Sequence, residues 1–400
     1  MKGNRVISLL FKIGIFILVL ETAHAWLFWY LGTSLKALLY FIIFILGYSI
    51  CQKQKRYYKS SEFYIIAVFF LFIAHVMKTG SSLLGIGEEL LYILIMWLVM
   101  VQPIDQKREI LDFQTKFLAL LLLVSFGAWV VHFFVQLPYS EIRRPGFEHL
   151  PSAHNYYFFI TTYMGLLDYR FHSIFLEPGH LGCIISFFVI ANQFDFKNKY
   201  VVILSVILLF TLSLAGFVIF FIGFIFYSLN RNKNKTNLMR IVGISLVFLG
   251  IWLFGVYYNG GDNYVNERVI ERLEYDEETG DIAGDNRYTE AMERTFEKTI
   301  HSGDVLFGMP IEQFRVFRET AGNGAGIKIW IIQKGIVGAL MLFLGYFFVA
   351  KGSTNRRWAM FILLVYAISS YQRMYFFWAG YLIPFICGTA MPFFTRQNKS

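Results

Sequence analysis

Arg170, Glu177 and His180 stand close together in the run RFHSIFLEPGHLG, where a polar segment gives way to an apolar one. A carboxylate or an imidazole can take the proton of a reacting hydroxyl. A guanidinium matches the oxygens of a phosphate two at a time. Each residue also has a purely structural account. Pro178 suits the first position of a helix, which places Glu177 at the cap, where the helix dipole favours a carboxylate. Arg170 can reach from a membrane edge toward water.

A second polar run, 259–326, holds Asp285, Asn286 and Arg287 ahead of the helical-looking RYTEAMERTFEKTI. Arg287 and Arg294 fall two turns apart on one helix face and can point at one anion. Glu290, four residues before Arg294, offers it an ordinary exposed pair worth roughly 0.3–0.5 kcal/mol. Arg373, in SYQRMYF, is a further outward basic residue, suited to a lipid phosphate or to interfacial anchoring. The acidic patch Asp276, Glu277, Glu278, Asp281 and Asp285 lacks the order of a calcium loop and reads as a solvated turn, so no metal is expected. His132, His149, His154 and His172 lack zinc-type spacing, and Ser213 in LSLAG lacks a nucleophile's surroundings. Cys51, Cys183 and Cys387 give no disulfide framework.

The elements that must position these groups are apolar helices. The 400 residues are 56% hydrophobic and 19% aromatic, with a mean hydropathy of +0.53. Apolar runs of membrane-crossing length recur, near 6–20, 35–50, 63–77, 88–101, 117–137, 179–191, 200–214, 217–229, 241–258, 327–350, 358–370 and 375–391. The reading is an all-α polytopic integral membrane protein of about twelve transmembrane helices. The first run reads as a retained helix, since no small-residue cleavage site follows it. The pair 200–214 and 217–229 is short enough for two tilted spans or a re-entrant hairpin. Lys53, Lys55, Arg56 and Lys59, then Lys107 and Arg108, Lys197 and Lys199, the cluster Arg231 to Arg240, and Lys351, Arg356 and Arg357 mark one side. By the positive-inside rule that side is cytoplasmic and both termini lie there. The net charge of +9 follows from topology, and no nucleic-acid partner is implied. The chain divides into N-terminal spans 1–137, an outward loop 138–178, central spans 179–258, a second outward loop 259–326 and C-terminal spans 327–400.

An outward loop ending in Arg170 and followed by FLEPGHLG at the entrance to a span resembles the O-antigen and capsular polysaccharide polymerases of bacteria. TLSLAGF at 211–217, DNR at 285–287, LFG at 306–308 and NGAGIKIWIIQKGIVGALMLFL at 323–344 extend the likeness over roughly 140–350. The resemblance implies a GT-C-like glycosyltransferase architecture in the bacterial inner membrane, shared with the O-antigen ligases, with its site facing the periplasm. It implies metal-independent transfer of a glycan from undecaprenyl pyrophosphate to the next lipid-linked unit, without a cofactor. Arg170 and Arg287 would hold the pyrophosphate, with Arg294, Arg373 and Asn323 as further substrate contacts. Glu177 is the first candidate base, with His180 and His301 behind it. Membrane lipids and a chain-length regulator are the other implied partners. Where ligases tend to carry a His directly before the Asn of the re-entering segment, this chain has Gly322 before Asn323. That departure favours a polymerase and leaves the base unassigned.

Three other readings compete, one of them a membrane scaffold or sensor in which the outward arginines have no ligand and substituting them is silent. A ligase would move a finished glycan to lipid A core or to protein. A flippase or transporter for lipid-linked sugars would show intramembrane charge and broken helices along a pathway, whereas here charge gathers in two outward loops.

Overall fold

The computed structural model describes residues 2–52, 83–143, 152–162, 170–230, 235–273, 275–276, 281–282, 290–321, 326–372, 375 and 377–391. The expected span at 63–77 lies outside them. The described chain is mostly helical. Its helices are α1 (Lys2–Thr22), α2 (Thr33–Gln52), α3 (Leu83–Met100), α4 (Ile104–His132), α5 (Pro178–Ala191), α6 (Lys199–Phe210) and α7 (Leu214–Asn230). They continue with α8 (Lys235–Tyr257), α9 (Glu290–Ile300), α10 (Ile311–Ala321), α11 (Ile327–Lys351), α12 (Arg356–Gln372) and α13 (Ala379–Ala390).

By length and composition, α2, α4 and α11 suit a membrane crossing, and α5, α6, α7 and α13 are shorter apolar helices. The outer face of α2 shows why a membrane suits this fold. Leu35, Leu38, Phe41, Ile42 and Ile45 are all exposed, at the three- and four-residue spacing of one helix face. A contiguous apolar stripe of that kind is unfavourable in water and at home in lipid.

The element edges differ from expectation in two informative ways. Helices α5 and α6 have 14 and 12 residues, about 21 and 18 Å at the helical rise, short of a ~30 Å apolar core. The run at 117–137 belongs to a helix that begins at Ile104, inside the basic cluster containing Lys107 and Arg108.

Contacts divide the chain into two compact units. One comprises residues 1–15, 31–110 and 286–392. There Gly14 and Gly47 let helices approach closely: an added Cβ would lie 2.7 Å from Ile43 Cγ1 at the first and 2.6 Å from Phe11 at the second. Tyr346, Tyr366 and Tyr381 are fully buried, and the Tyr366 hydroxyl donates to Tyr381 O at 2.6 Å. Helices α9 and α10 lie over the start of α11 through Met292, Phe317, Ile329 and Ile332.

The other unit comprises 16–30, 111–285 and 393–400. It carries a three-stranded antiparallel sheet of β1 (Ser140–Ile142), β2 (Ala153–Asn155) and β3 (Ile160–Thr162), in register Glu141↔His154↔Thr161. Residues 156–159 form a bend that leads into the edge strand β3. A two-stranded antiparallel ribbon pairs β4 (Tyr275–Asp276) with β5 (Asp281–Ile282).

Candidate functional site

The loop 170–177 enters α5 through Pro178, which occupies the first turn, with Glu177 as the N-cap in extended conformation. Its carboxylate makes no capping hydrogen bond. Instead Oε2 lies 3.6 Å from His180 Nε2, an ion-pair distance too long for a hydrogen bond. The two groups differ in access: the Glu177 side chain is 43% exposed and that of His180 3%. A carboxylate thus faces outward with an imidazole buried behind it. The His24 ring sits beside His180, centroid to centroid 6.5 Å, on a residue held at φ +58°. Glu21, one turn earlier, is buried.

Arg170 is buried as well. Its Nε donates to Thr211 O at 3.1 Å and one Nη to Leu212 O at 3.0 Å. These carbonyls close α6, where a cation is favoured by the helix dipole. Leu212 has φ +43°, a left-handed backbone that a branched side chain rarely adopts. The guanidinium therefore fastens a strained turn while keeping its charge inside the loop. Its proposed role on a phosphate would have to be carried out from that anchored position.

Three segments outside the loop fix it by backbone hydrogen bonds: Trp26 N donates to Ile174 O, Ile160 N to Ser173 O and Phe171 N to Phe210 O, and within the loop Phe175 N donates to His172 O, all at 2.9–3.0 Å. Phe171 is fully buried against Phe126 and Trp129, which also pack on Phe210.

His172 is a residue the sequence reading set aside. Its Nδ1 lies 2.6 Å from Phe175 O, and because a carbonyl only accepts, Nδ1 carries the proton. Its Nε2 is buried and has no hydrogen-bond partner among the described residues. Burial pushes the imidazole down to about 4; the hydrogen bond to Phe175 and the Glu177 carboxylate act against that, and the Arg170 charge acts with it. His172 is thus a neutral ring in the middle of the loop.

The motifs RFHSIFLEPGHLG and TLSLAGF form one packed assembly. Ser213 caps α7, its Oγ accepting from Gly216 N at 3.2 Å. Ser186 Oγ lies 2.8 Å from both Gly182 O and Gly216 O, reaching across from α5 to α7. A Cβ on Gly182 would come within 2.6 Å of Ser213 Cβ. Small residues on both helices let the backbones touch, the arrangement that lets apolar helices associate without a hydrophobic driving force.

Of the other expected site residues, Arg294 lies on α9, highly exposed and ion-paired with Glu290. Arg287, Asn323 and Arg373 lie outside the described residues. His301 follows the end of α9 and is exposed. Among the described residues, no three His, Cys, Asp or Glu side chains converge as metal ligands would.

A second feature escaped the sequence reading. Helix α11 is broken at Gly335, whose φ is +71° and ψ 176°. The freed backbone pairs with the LFG segment: Met309 N donates to Ile332 O at 2.8 Å and Val337 N to Leu306 O at 3.1 Å. Gly308 and Gly335 both lie against the opposing backbone, with no room for a Cβ. Lys334 sits at the break, within electrostatic reach of Glu89. A lysine inside an apolar run was the available signal, since ionisable groups at membrane depth mark function by default.

No protein-family model, no curated protein and no solved structure matches this chain.

Proposed function

We propose that this chain is a polysaccharide polymerase that joins oligosaccharide repeat units carried on undecaprenyl pyrophosphate. The proposal includes about twelve spans, both termini in the cytoplasm, a GT-C-like architecture and a site at the outward face of the bacterial inner membrane. In the reaction a sugar hydroxyl of the incoming unit attacks the anomeric carbon of the growing chain. The bond from that carbon to the pyrophosphate oxygen breaks, its electron pair leaves with undecaprenyl pyrophosphate, and the hydroxyl proton passes to a base.

The observation that supports this reading best is the outward-facing Glu177 carboxylate. It makes no capping hydrogen bond and lies at ion-pair distance from a buried imidazole. In this assignment Glu177 takes the acceptor proton, a contribution on the order of 10²–10⁴-fold in rate. His180 is a positioning residue, too buried to meet a sugar. Arg170 supplies fixed positive charge behind the loop, where preorganised charge counts most against a developing anion. Arg287, Arg294, Arg373 and Asn323 complete the proposed substrate contacts.

The test is the surface-glycan ladder of a deletion strain carrying Glu177→Gln or Arg287→Ala, with membrane expression verified. Collapse to core plus a single repeat unit supports the polymerase. Loss of even single-unit attachment, with lipid-linked polymer accumulating, would identify a ligase instead. A full ladder from both variants removes these residues from the site.

One observation favours a second reading. The break in α11 beside Lys334 is the kind of discontinuous helix found where transporters hold their cargo. A flippase would move a fluorescent lipid-linked sugar across liposomes without making a glycosidic bond. Lys334→Gln would then stop movement, whereas Glu177→Gln would leave it intact.

A further inference from the structure

One face of α4 is exposed and apolar from Phe117 to Val131. Phe117, Leu120, Val124 and Val131 succeed one another on it at helical spacing. Helix α4 is long and apolar enough to cross a membrane, so this stripe suits lipid. Where the helix ends at His132, exposure continues through Phe133, Phe134 and Val135, and Phe134 is 83% exposed. No Asp, Glu, Lys or Arg occurs between Lys116 and Glu141.

The three-stranded sheet is docked on that end of the helix. The His132 ring lies 4.5 Å from that of Tyr156 and 5.7 Å from that of Phe159, and the latter two rings stack at 4.6 Å. They form the base of the bend between β2 and β3, which Tyr156 N closes by donating to Phe159 O at 2.9 Å. The tip is Tyr157 and Phe158, 62% and 57% exposed. Tyr157 has φ +68°, a conformation that hairpin tips usually give to glycine or asparagine. Its N–H donates to Asn155 Oδ1 at 2.8 Å, which holds it there. Two neighbouring rings are thus kept in the open on a strained backbone, and strain that persists points to a task.

Strand register gives the sheet two unlike ends. Ser140, Asn155 and Ile160 share the end that carries the bend, where the exposed Tyr139 precedes Ser140. Ile142, Ala153 and Thr162 share the other, which the exposed Arg143 follows. From 149 to 167 the sequence again has no Asp, Glu, Lys or Arg.

We propose that the Tyr157–Phe158 tip, together with Phe133, Phe134 and Val135, is an anchor seated in the lipid headgroup layer at this end of α4. The occupant is lipid because the patch continues the apolar stripe of α4 and is aromatic with no opposing charge, the composition of a membrane interface. Ile160 N, at the start of β3, donates to Ser173 O, so the anchored tip sets the level of loop 170–177 against the headgroups. The inference rests on the membrane placement of α4 and does not depend on glycosyl transfer.

The test places the full-length chain in liposomes of phosphatidylethanolamine and phosphatidylglycerol, with a nitroxide on one introduced cysteine; Cys51, Cys183 and Cys387 are buried. Relaxation of the label by oxygen, which concentrates in lipid, is compared with relaxation by a water-soluble nickel chelate. Labels at Phe158→Cys and Phe134→Cys are expected to favour oxygen, as one at Val131→Cys on α4 does, while a label at Arg143→Cys favours nickel. A Phe158→Cys label as open to nickel as the Arg143→Cys label overturns the anchor. A Phe158→Cys label shielded from both reagents marks a second copy or a glycan on the patch and overturns it too. If Phe158→Cys does not fold, Phe134→Cys decides by the same comparison. A Val131→Cys label that favours nickel takes α4 out of the membrane and the anchor with it.

Discussion

Gly182 and Gly216 meet backbone to backbone: a Cβ on Gly216 would stand 2.9 Å from the Gly182 carbonyl carbon and 3.1 Å from its Cα. The obstacle is main chain, which cannot swing aside as a side chain can. Gly216→Ala should therefore cost about 1–3 kcal/mol of overpacking and lower the unfolding temperature in detergent. Gly243→Ala, where an added Cβ meets nothing within 4 Å, should be neutral or slightly stabilising through helix propensity. Equal melting of the two variants would show that α5 and α7 are not in contact.

Ser186 ties the same interface through one hydroxyl placed between two carbonyls. Ser186→Ala leaves both acceptors without that donor in a buried place, for an expected loss of about 0.5–1.5 kcal/mol. Addition of the Gly216→Ala and Ser186→Ala effects is not expected, because both act on one contact. A double-mutant cycle on unfolding temperature measures the coupling, and a coupling of zero contradicts the described geometry.

For Arg170, the informative substitution is lysine. A guanidinium can hold Thr211 O and Leu212 O at once through Nε and Nη, whereas an ammonium at the end of a flexible stem cannot reproduce that fork. Arg170→Lys should lose stability by about 1–3 kcal/mol although the charge is kept. Wild-type stability in Arg170→Lys would mean the carbonyl contacts contribute little.

The His172 ring sets a pH dependence whose sign is fixed. Its folded-state value of about 4 lies below the ordinary 6.5, so between those values the unfolded chain binds more protons. Stability is then fully present above about pH 6.5 and falls as pH drops toward 4, by on the order of 3 kcal/mol. His172→Gln should flatten unfolding temperature against pH across that window. A variant with the same slope as wild type would assign the dependence to other groups.

Much of this was legible in the sequence. Apolar run length located the long apolar helices α2, α4 and α11 and the shorter ones α5, α6, α7 and α13, and the Pro178 rule put the start of α5 in the right place. It also cast Glu177 as a cap, where the structure keeps the backbone role and turns the carboxylate toward His180. What escaped had long-range or backbone causes. Nothing in the sequence order announces that Arg170 reaches carbonyls more than forty residues away, or that residue 24 lies beside residue 180. The left-handed Leu212 has no compositional signal, because leucine is a poor choice for that conformation. The break in α11 was half visible, since glycine after lysine in an apolar run is unusual. Its pairing with 306–309 needed coordinates. Runs such as 179–191 looked like spans because composition reports polarity and says little about where a helix stops.

The hydrogen bonds that hold loop 170–177 also impose an order of events. Trp26 leaves the ribosome long before Ile174, its partner, and Arg170 cannot be fastened until residues 211 and 212 have followed. The N-terminal segment must therefore wait, with its acceptor not yet made, until residue 174 has followed. A chain arrested before residue 210 would have every residue of RFHSIFLEPGHLG and still lack three of the hydrogen bonds that hold the loop. The last contacts to close this loop come from the turn after α6, which makes that turn the timer for closure of the loop.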